Sequence, residues 1–203
     1  MKLLLATNNT HKAQEIREIL KDSFSEIFTM REAGIDLDVL EDGLTFRENA
    51  LKKAVETLAF AQDRYDAVLA DDSGLCVDAL GGAPGVFSAR FSGEGHNDAA
   101  NNAKLIALLR DVPDEKRTAR FCCCIALARI GRDPIAVQGE VEGTILHEAH
   151  GENGFGYDPF FYYAPFRKSF AELSSEEKNS VSHRKRALML LKEALDVENR
   201  SRL

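Results

Sequence analysis

The apolar positions of this chain follow two periods, and the change from one to the other marks its elements. Lys2 to Ala6 is a short, nearly continuous apolar run of the kind a buried strand shows. Ala13, Ile16 and Leu20 then recur at i, i+3 and i+7, one face of a helix, so the chain opens on a β-loop-α unit. Glu26 to Met30 reads as a second strand, followed by a polar, acid-rich loop through Asp42. Thr45-Phe46-Arg47-Glu48 has the spacing of a capping box, and Phe46, Ala50, Ala54, Leu58 and Ala61 line the long helix it starts. Ala67-Val68-Leu69-Ala70 is an apolar strand expected to stop at Asp71-Asp72-Ser73-Gly74 and turn, with Leu75 to Leu80 returning as a strand.

Gly81-Gly82-Ala83-Pro84-Gly85 carries strong turn chemistry, and Asn97 to Leu109 places Leu105, Ile106 and Leu109 at helical spacing. Arg120 to Ile130 and Ile135 to Val141 alternate as strands around Gly131-Arg132-Asp133-Pro134, a predicted hairpin. A short strand is expected at Phe160 to Tyr163. A closing helix from about His183 puts Leu188, Leu191 and Leu195 on one face. Helices alternate with strands early and a long hairpin comes late, with no repeat or linker. The pattern predicts an α/β protein with a mixed sheet, its 203 residues forming one domain of two lobes with a cleft between them.

With 44% hydrophobic and 29% charged residues the composition is that of a globular protein. A formal net charge of -7 argues against a long polyanionic partner, so no nucleic acid is expected, whereas a small anion needs only a local basic cluster. The apolar run at Met1 to Ala6 is shorter than a signal peptide requires, and Phe121 to Ala128, the longest apolar run, is too short to span a bilayer. No membrane association is expected, and the chain is placed in the cytoplasm. Cys76 and the run Cys122-Cys123-Cys124 lack C-x-x-C or paired His spacing, so they read as buried reduced thiols rather than a zinc site.

Four clusters could carry chemistry. Thr7-Asn8-Asn9-Thr10-His11-Lys12 joins the first strand to the first helix, where N–H groups and the positive end of the helix dipole favour phosphate and Lys12 adds a charge; an ordinary helix cap is the other reading. Glu41-Asp42 and Asp71-Asp72 supply acids at a loop and a strand end, either as turn formers or as ligands of a hard cation such as Mg²⁺, which needs one or two carboxylates. Gly154-Phe155-Gly156-Tyr157-Asp158-Pro159 offers ring faces to a base and an acceptor for a ring N–H, or simply core aromatics beside a glycine turn. Lys178 and Ser182-His183-Arg184 precede the last helix, as donors to a carbonyl oxygen or as a basic surface.

Together, and in this order, these segments resemble the inosine triphosphate pyrophosphatase family. The likeness also includes Leu44-Thr45-Phe46 with Glu48-Asn49-Ala50, and Gly81 to Gly85 with Ser88-Ala89-Arg90, and covers nearly the whole chain. It implies Mg²⁺-dependent hydrolysis of ITP, dITP and XTP to the monophosphate and pyrophosphate by a cytosolic homodimer with a long mixed sheet flanked by helices. It further implies that Thr7, Asn8, Asn9, Thr10, His11 and Lys12 bind the triphosphate and that Glu41 and Asp72 bind the metal, with Asp72 as proton acceptor. Ser73, Phe155, Gly156, Tyr157, Asp158, Lys178, His183 and Arg184 would contact substrate. Asn8 stands where relatives often have Gly. A Maf-type pyrophosphatase acting on pyrimidine or modified nucleotides is the nearest alternative; a catalytically silent nucleotide-binding module is another.

Overall fold

The computed structural model describes residues 1–93, 95 and 97–200, without the side chains of His11 and Asn199. Its elements are β1 (Lys2–Leu5), α1 (Thr10–Leu20), β2 (Glu26–Thr29), the single turn α2 (Met30–Ala33), α3 (Phe46–Ala61), β3 (Ala67–Val77), α4 (Asp98–Leu108), β4 (Thr118–Arg129), β5 (Arg132–Ile145), β6 (Phe161–Tyr163), β7 (Lys168–Ser169), α5 (Ser175–Val181) and α6 (His183–Arg200). The strands form a seven-stranded sheet in the order β2-β1-β3-β4-β5-β6-β7. It is mixed, as expected: β1 pairs in parallel with both β2 and β3, whereas β6 runs antiparallel to β5 and to β7.

Backbone contacts divide the chain into two compact units. The first comprises Met1–Asp72, Cys123–Gly139 and Arg184–Leu203, and the second Ser73–Cys122 and Glu140–His183, so the unit boundaries fall inside β3, β4 and β5. In the first, Leu3, Leu5, Leu69, Cys123, Ile125 and Leu127 from alternate strand positions meet Ala13, Ile16 and Leu20 of α1 and Ala187, Leu188 and Leu191 of α6. In the second, Leu75, Val77, Phe121, Val141 and Phe161 pack with Leu105 and Leu109 of α4 and with Tyr157 and Phe170.

Local chemistry explains most element ends. Thr45 and Glu48 do form the capping box that starts α3, the Thr45 hydroxyl accepting from the Glu48 N–H and the Glu48 carboxylate from the Thr45 N–H. Ser174 and Glu177 do the same for α5, a short helix whose Ser-x-x-Glu spacing is readable once noticed. The hairpin turns earlier than its glycine-proline segment predicts: β4 ends at Arg129 and β5 resumes at Arg132, so Asp133 and Pro134 lie within the strand.

The main correction concerns Asp71-Asp72-Ser73-Gly74. No turn interrupts it; β3 continues from Ala67 to Val77 straight through both acids and the glycine, and of the expected return strand Leu75 to Val77 belong to β3 while Asp78–Leu80 form a single 3₁₀ turn. Turn propensity loses here because both carboxylates are buried and bound to partners supplied by distant residues. The four cysteines are free thiols, as expected; Cys122, Cys123 and Cys124 are buried and Cys76 is half-buried. Burial pushes the Cys124 thiol up to about 11.

Candidate active site

Successive strand residues point to opposite faces, so β3 sends Asp71 and Asp72 to different partners. Asp71 meets α1 and α6. Lys12 Nζ donates to its Oδ1 at 2.9 Å, and Arg184 Nε to its Oδ2 at 3.1 Å. Burial alone would push this carboxyl up, but the charges of Lys12, Arg184 and Lys53 and the Lys12 hydrogen bond outweigh it and hold it well below the usual carboxylate range. Arg184, 1% exposed, also donates to Glu15 Oε2 at 2.6 Å, so α1 and α6 are tied through one buried guanidinium. The surface reading of the Ser182-His183-Arg184 segment therefore fails: all three residues are buried. His183 stacks on Phe121 with ring centroids 5.1 Å apart.

Asp72 faces α3 instead. Asn49 Nδ2 donates to its Oδ2 at 2.9 Å, while Asn49 Oδ1 accepts from the Gly43 N–H at 2.8 Å. One buried amide thus joins Asp72 to the loop that carries Glu41. Among the described residues Asp72 makes no ion pair; burial, partly offset by the Asn49 hydrogen bond and reinforced by the Glu41 charge, pushes its carboxyl up to about 6. Glu41 is bonded to Lys53, which lies one turn beyond Asn49 on α3. Although burial works against the Lys53 ammonium, the carboxylates of Glu41, Asp71 and Asp72 hold it above its usual range. Asn49 and Lys53 are the site residues the apolar pattern missed. They sit on the helix face next to Ala50 and Ala54, where a buried Asn is itself a signal.

The donor chemistry here fits a hard divalent ion. Among the described residues no group of three or more His, Cys, Asp and Glu side chains forms a cage, but Mg²⁺ does not need one. What it needs is a carboxylate that no lysine or arginine contacts directly, and Asp72, bonded to the Asn49 amide and sensing the negative charge of Glu41, supplies one.

The β1–α1 connection carries the helix cap that the sequence allowed. Asn9 caps α1, accepting from the Lys12 N–H at 3.1 Å, and its own N–H donates to Thr7 Oγ1 at 3.1 Å. Thr7 is half-buried, Asn8, Asn9 and Thr10 are exposed, and the side chain of His11 lies outside the described residues.

In the second unit the segment Gly154 to Asp158 coils on itself. Asp158, 3% exposed, accepts from the Phe155 N–H at 2.8 Å and from Lys178 Nζ at 2.5 Å, and that ammonium lies 4.6 Å from the centre of the Phe155 ring. The glycine requirement is therefore internal: Gly154 has φ +79°, and a Cβ there would strike the Asp158 carboxylate. Tyr157 is a core residue, its hydroxyl donating to the Ser88 carbonyl at 2.7 Å, whereas Phe155 is half-buried. Ser73, half-buried, follows Asp72 on β3.

Comparison with known proteins finds relatives along nearly the whole chain. A dITP/XTP pyrophosphatase of Desulforamulus reducens is 52% identical over 200 residues, 98% of this chain and 96% of that protein. A dITP/XTP pyrophosphatase of Clostridium perfringens is 49% identical over 197 residues, 96% and 97% of the two chains. The solved structure of the Staphylococcus aureus Ham1 protein superimposes with a TM-score of 0.85 at 39% identity, covering 98% of this chain and all of that one. Residues 3–194 match the Ham1 family as a whole, and the chain belongs to that family.

Proposed function

We propose that this protein hydrolyses ITP, dITP and XTP to the monophosphate and pyrophosphate. The reading extends to Mg²⁺ as cofactor, a homodimeric state and a place in the cytoplasm. Its relatives' names and the family resemblance support the substrate class. The observation that carries it is the split pair on β3, one acid matched by cations and the next left for a metal. No helix among the described residues is long and apolar enough to cross a membrane.

The first unit supplies the phosphate chemistry in this reading. Thr7 to Lys12 hold the triphosphate through α1 N–H groups and the Lys12 charge. Asp72 and Glu41 would hold Mg²⁺, which when bound neutralises charge on the phosphate oxygens. A water oxygen bonds to the α-phosphorus as the bond to the bridging oxygen breaks; pyrophosphate leaves with that electron pair, and the water's proton passes to Asp72. Asn49 holds Asp72 in place, so Asn49→Ala is expected to cost about 1–3 kcal/mol by stranding the Gly43 N–H and the Asp72 carboxylate, read by urea unfolding. The Mg²⁺ concentration for half-maximal activity should rise about tenfold or more. Unchanged metal demand would remove Asn49 from this role.

The second unit supplies base recognition. Phe155 offers its ring, with Ser73, Gly156, Tyr157, Asp158, Lys178 and His183 of the same unit as further substrate contacts; Arg184, which belongs to the first unit, is assigned a substrate contact as well. Hypoxanthine and xanthine present an O6 acceptor where adenine presents an amino donor, so donors from His183, Arg184 or nearby backbone favour the former. Guanine shares O6 and is rejected at its 2-amino group. Pyrophosphate release from ITP, XTP, ATP, GTP, dTTP and UTP tests this: ITP and XTP should exceed the rest by about 10²-fold or more. Equal rates on all purines would sink the assignment, and preference for dTTP or UTP would favour a Maf-type activity.

A further inference from the structure

Helix α4 takes no part in the chemistry above, yet it grips the base segment at one residue. Asp98 Oδ2 accepts from the Gly156 N–H at 2.8 Å, and Asn102 Nδ2 donates to the Gly156 carbonyl at 2.9 Å. The two side chains stand four residues apart, on one helix face, and so reach both polar groups of a single residue. Gly156 has φ +61° and lies in a turn that the Asp158 N–H closes on the Phe155 carbonyl at 3.3 Å, but the bonds made within the loop reach neither its own N–H nor its carbonyl, which are left to α4.

The helix also grips the neighbouring layer. Asn101 donates to the Ala89 carbonyl at 3.1 Å and accepts from the Ser92 N–H at 2.7 Å, and the Ser88 carbonyl beside them receives the Tyr157 hydroxyl. Gly156 and Tyr157, adjacent in the base segment, are thus both referred to α4, one directly and one through Ser88. Asn102 is costly in its own right. Its Oδ1 is buried and has no hydrogen-bond partner among the described residues, so the bond its Nδ2 makes to Gly156 comes with a desolvated oxygen.

We infer that Asp98 and Asn102 are positioning residues that set base selectivity by clamping both ends of the Gly156 residue, and so the pitch of the Phe155 ring, without touching substrate. The inference rests on the base-recognition role assigned to Gly154 to Asp158. Residue 102 has to donate and residue 98 has to accept. Asp98→Asn keeps an acceptor oxygen and should behave as wild type, whereas Asp98→Ala loses it. Asn102→Asp keeps the shape but sets a carboxylate against a carbonyl, and should be the more damaging change at that position.

The test is a KM and kcat comparison on ITP and GTP with Mg²⁺, together with amide hydrogen exchange at Gly156. Asp98→Ala and Asn102→Asp should raise KM for ITP about tenfold, leave kcat within about twofold, and lower the ITP-to-GTP preference about tenfold, effects typical of lost positioning. Gly156 exchange should speed up in Asp98→Ala and not in Asp98→Asn. A purely structural role would lower kcat for both substrates alike and leave their ratio fixed. An unchanged ratio in both variants, with discrimination intact in the wild type, overturns the clamp alone. A wild type that turns over ITP and GTP equally overturns the base-recognition reading and this inference with it, while Gly156 exchange still reports whether α4 holds the loop.

Discussion

Asp72→Asn is expected to abolish pyrophosphate release while making the metal-free protein more stable. Loss of the carboxylate proposed above as proton acceptor and metal ligand should lower kcat/KM for ITP by about 10²–10⁴-fold. The stability change has the opposite sign because the folded protein raises this carboxyl from 3.8 to about 6, so the native state binds its proton more tightly than the unfolded chain does. Stability of the metal-free wild type therefore falls as pH rises from about 4 to about 6 and stays lower above it. Keeping a carboxylate ionised in this environment costs about 3 kcal/mol. Asn carries no such charge and still accepts from Asn49, so at pH 8 the variant should melt about 5–10 °C higher. Mg²⁺ should narrow the gap by stabilising the wild type alone. A variant with full activity removes Asp72 from the reaction, and a lower melting temperature contradicts the burial cost.

Arg184→Met should be the most destabilising single change at the site. The guanidinium is fully buried between Asp71 and Glu15, and deleting one member of a buried ion network costs about 3–5 kcal/mol because the remaining charges stay buried. In a chain of this size that lowers the melting temperature by about 6–20 °C. The pH dependence distinguishes this from lost packing. Asp71 has a depressed carboxyl, so its contribution is present above about pH 4 and lost only as pH falls through its low native value. With Arg184 gone the carboxyl is less depressed, so the acid-side loss should be smaller, and Asp71→Asn combined with Arg184→Met should recover part of the stability. A drop that is the same at every pH would mean that packing, not charge, is what Arg184 contributes.

These partners also explain what the sequence did and did not disclose. The opening β-loop-α unit, the capping box at Thr45 and the late hairpin were readable because each is decided by residues within a few positions of one another. Asp71 to Gly74 looked like a turn because its composition is turn-forming, and what overrides that composition is Lys12, 59 residues away, and Arg184, 113 residues away. The same distance hid the burial of Arg184, which locally resembles a solvated helix start. Lys53 carried no mark beyond its spacing from Asn49. Asp98 and Asn102 act on backbone groups, which every residue has, so no motif could have pointed from them to Gly156.

The unbroken course of β3 imposes a parity rule on this family member. A strand repeats every two residues, so which acid meets the α1 and α6 cations and which meets the α3 amide depends only on whether the count from Leu69 is even or odd. Inserting one residue between Leu69 and Asp71 would exchange the two environments, handing the cations to the wrong carboxylate. Inserting two would restore the faces but slide both acids along the sheet. The adjacent pair thus works as a fixed address, and drift in the length of this strand is closed to the chain in a way that drift in its loops is not.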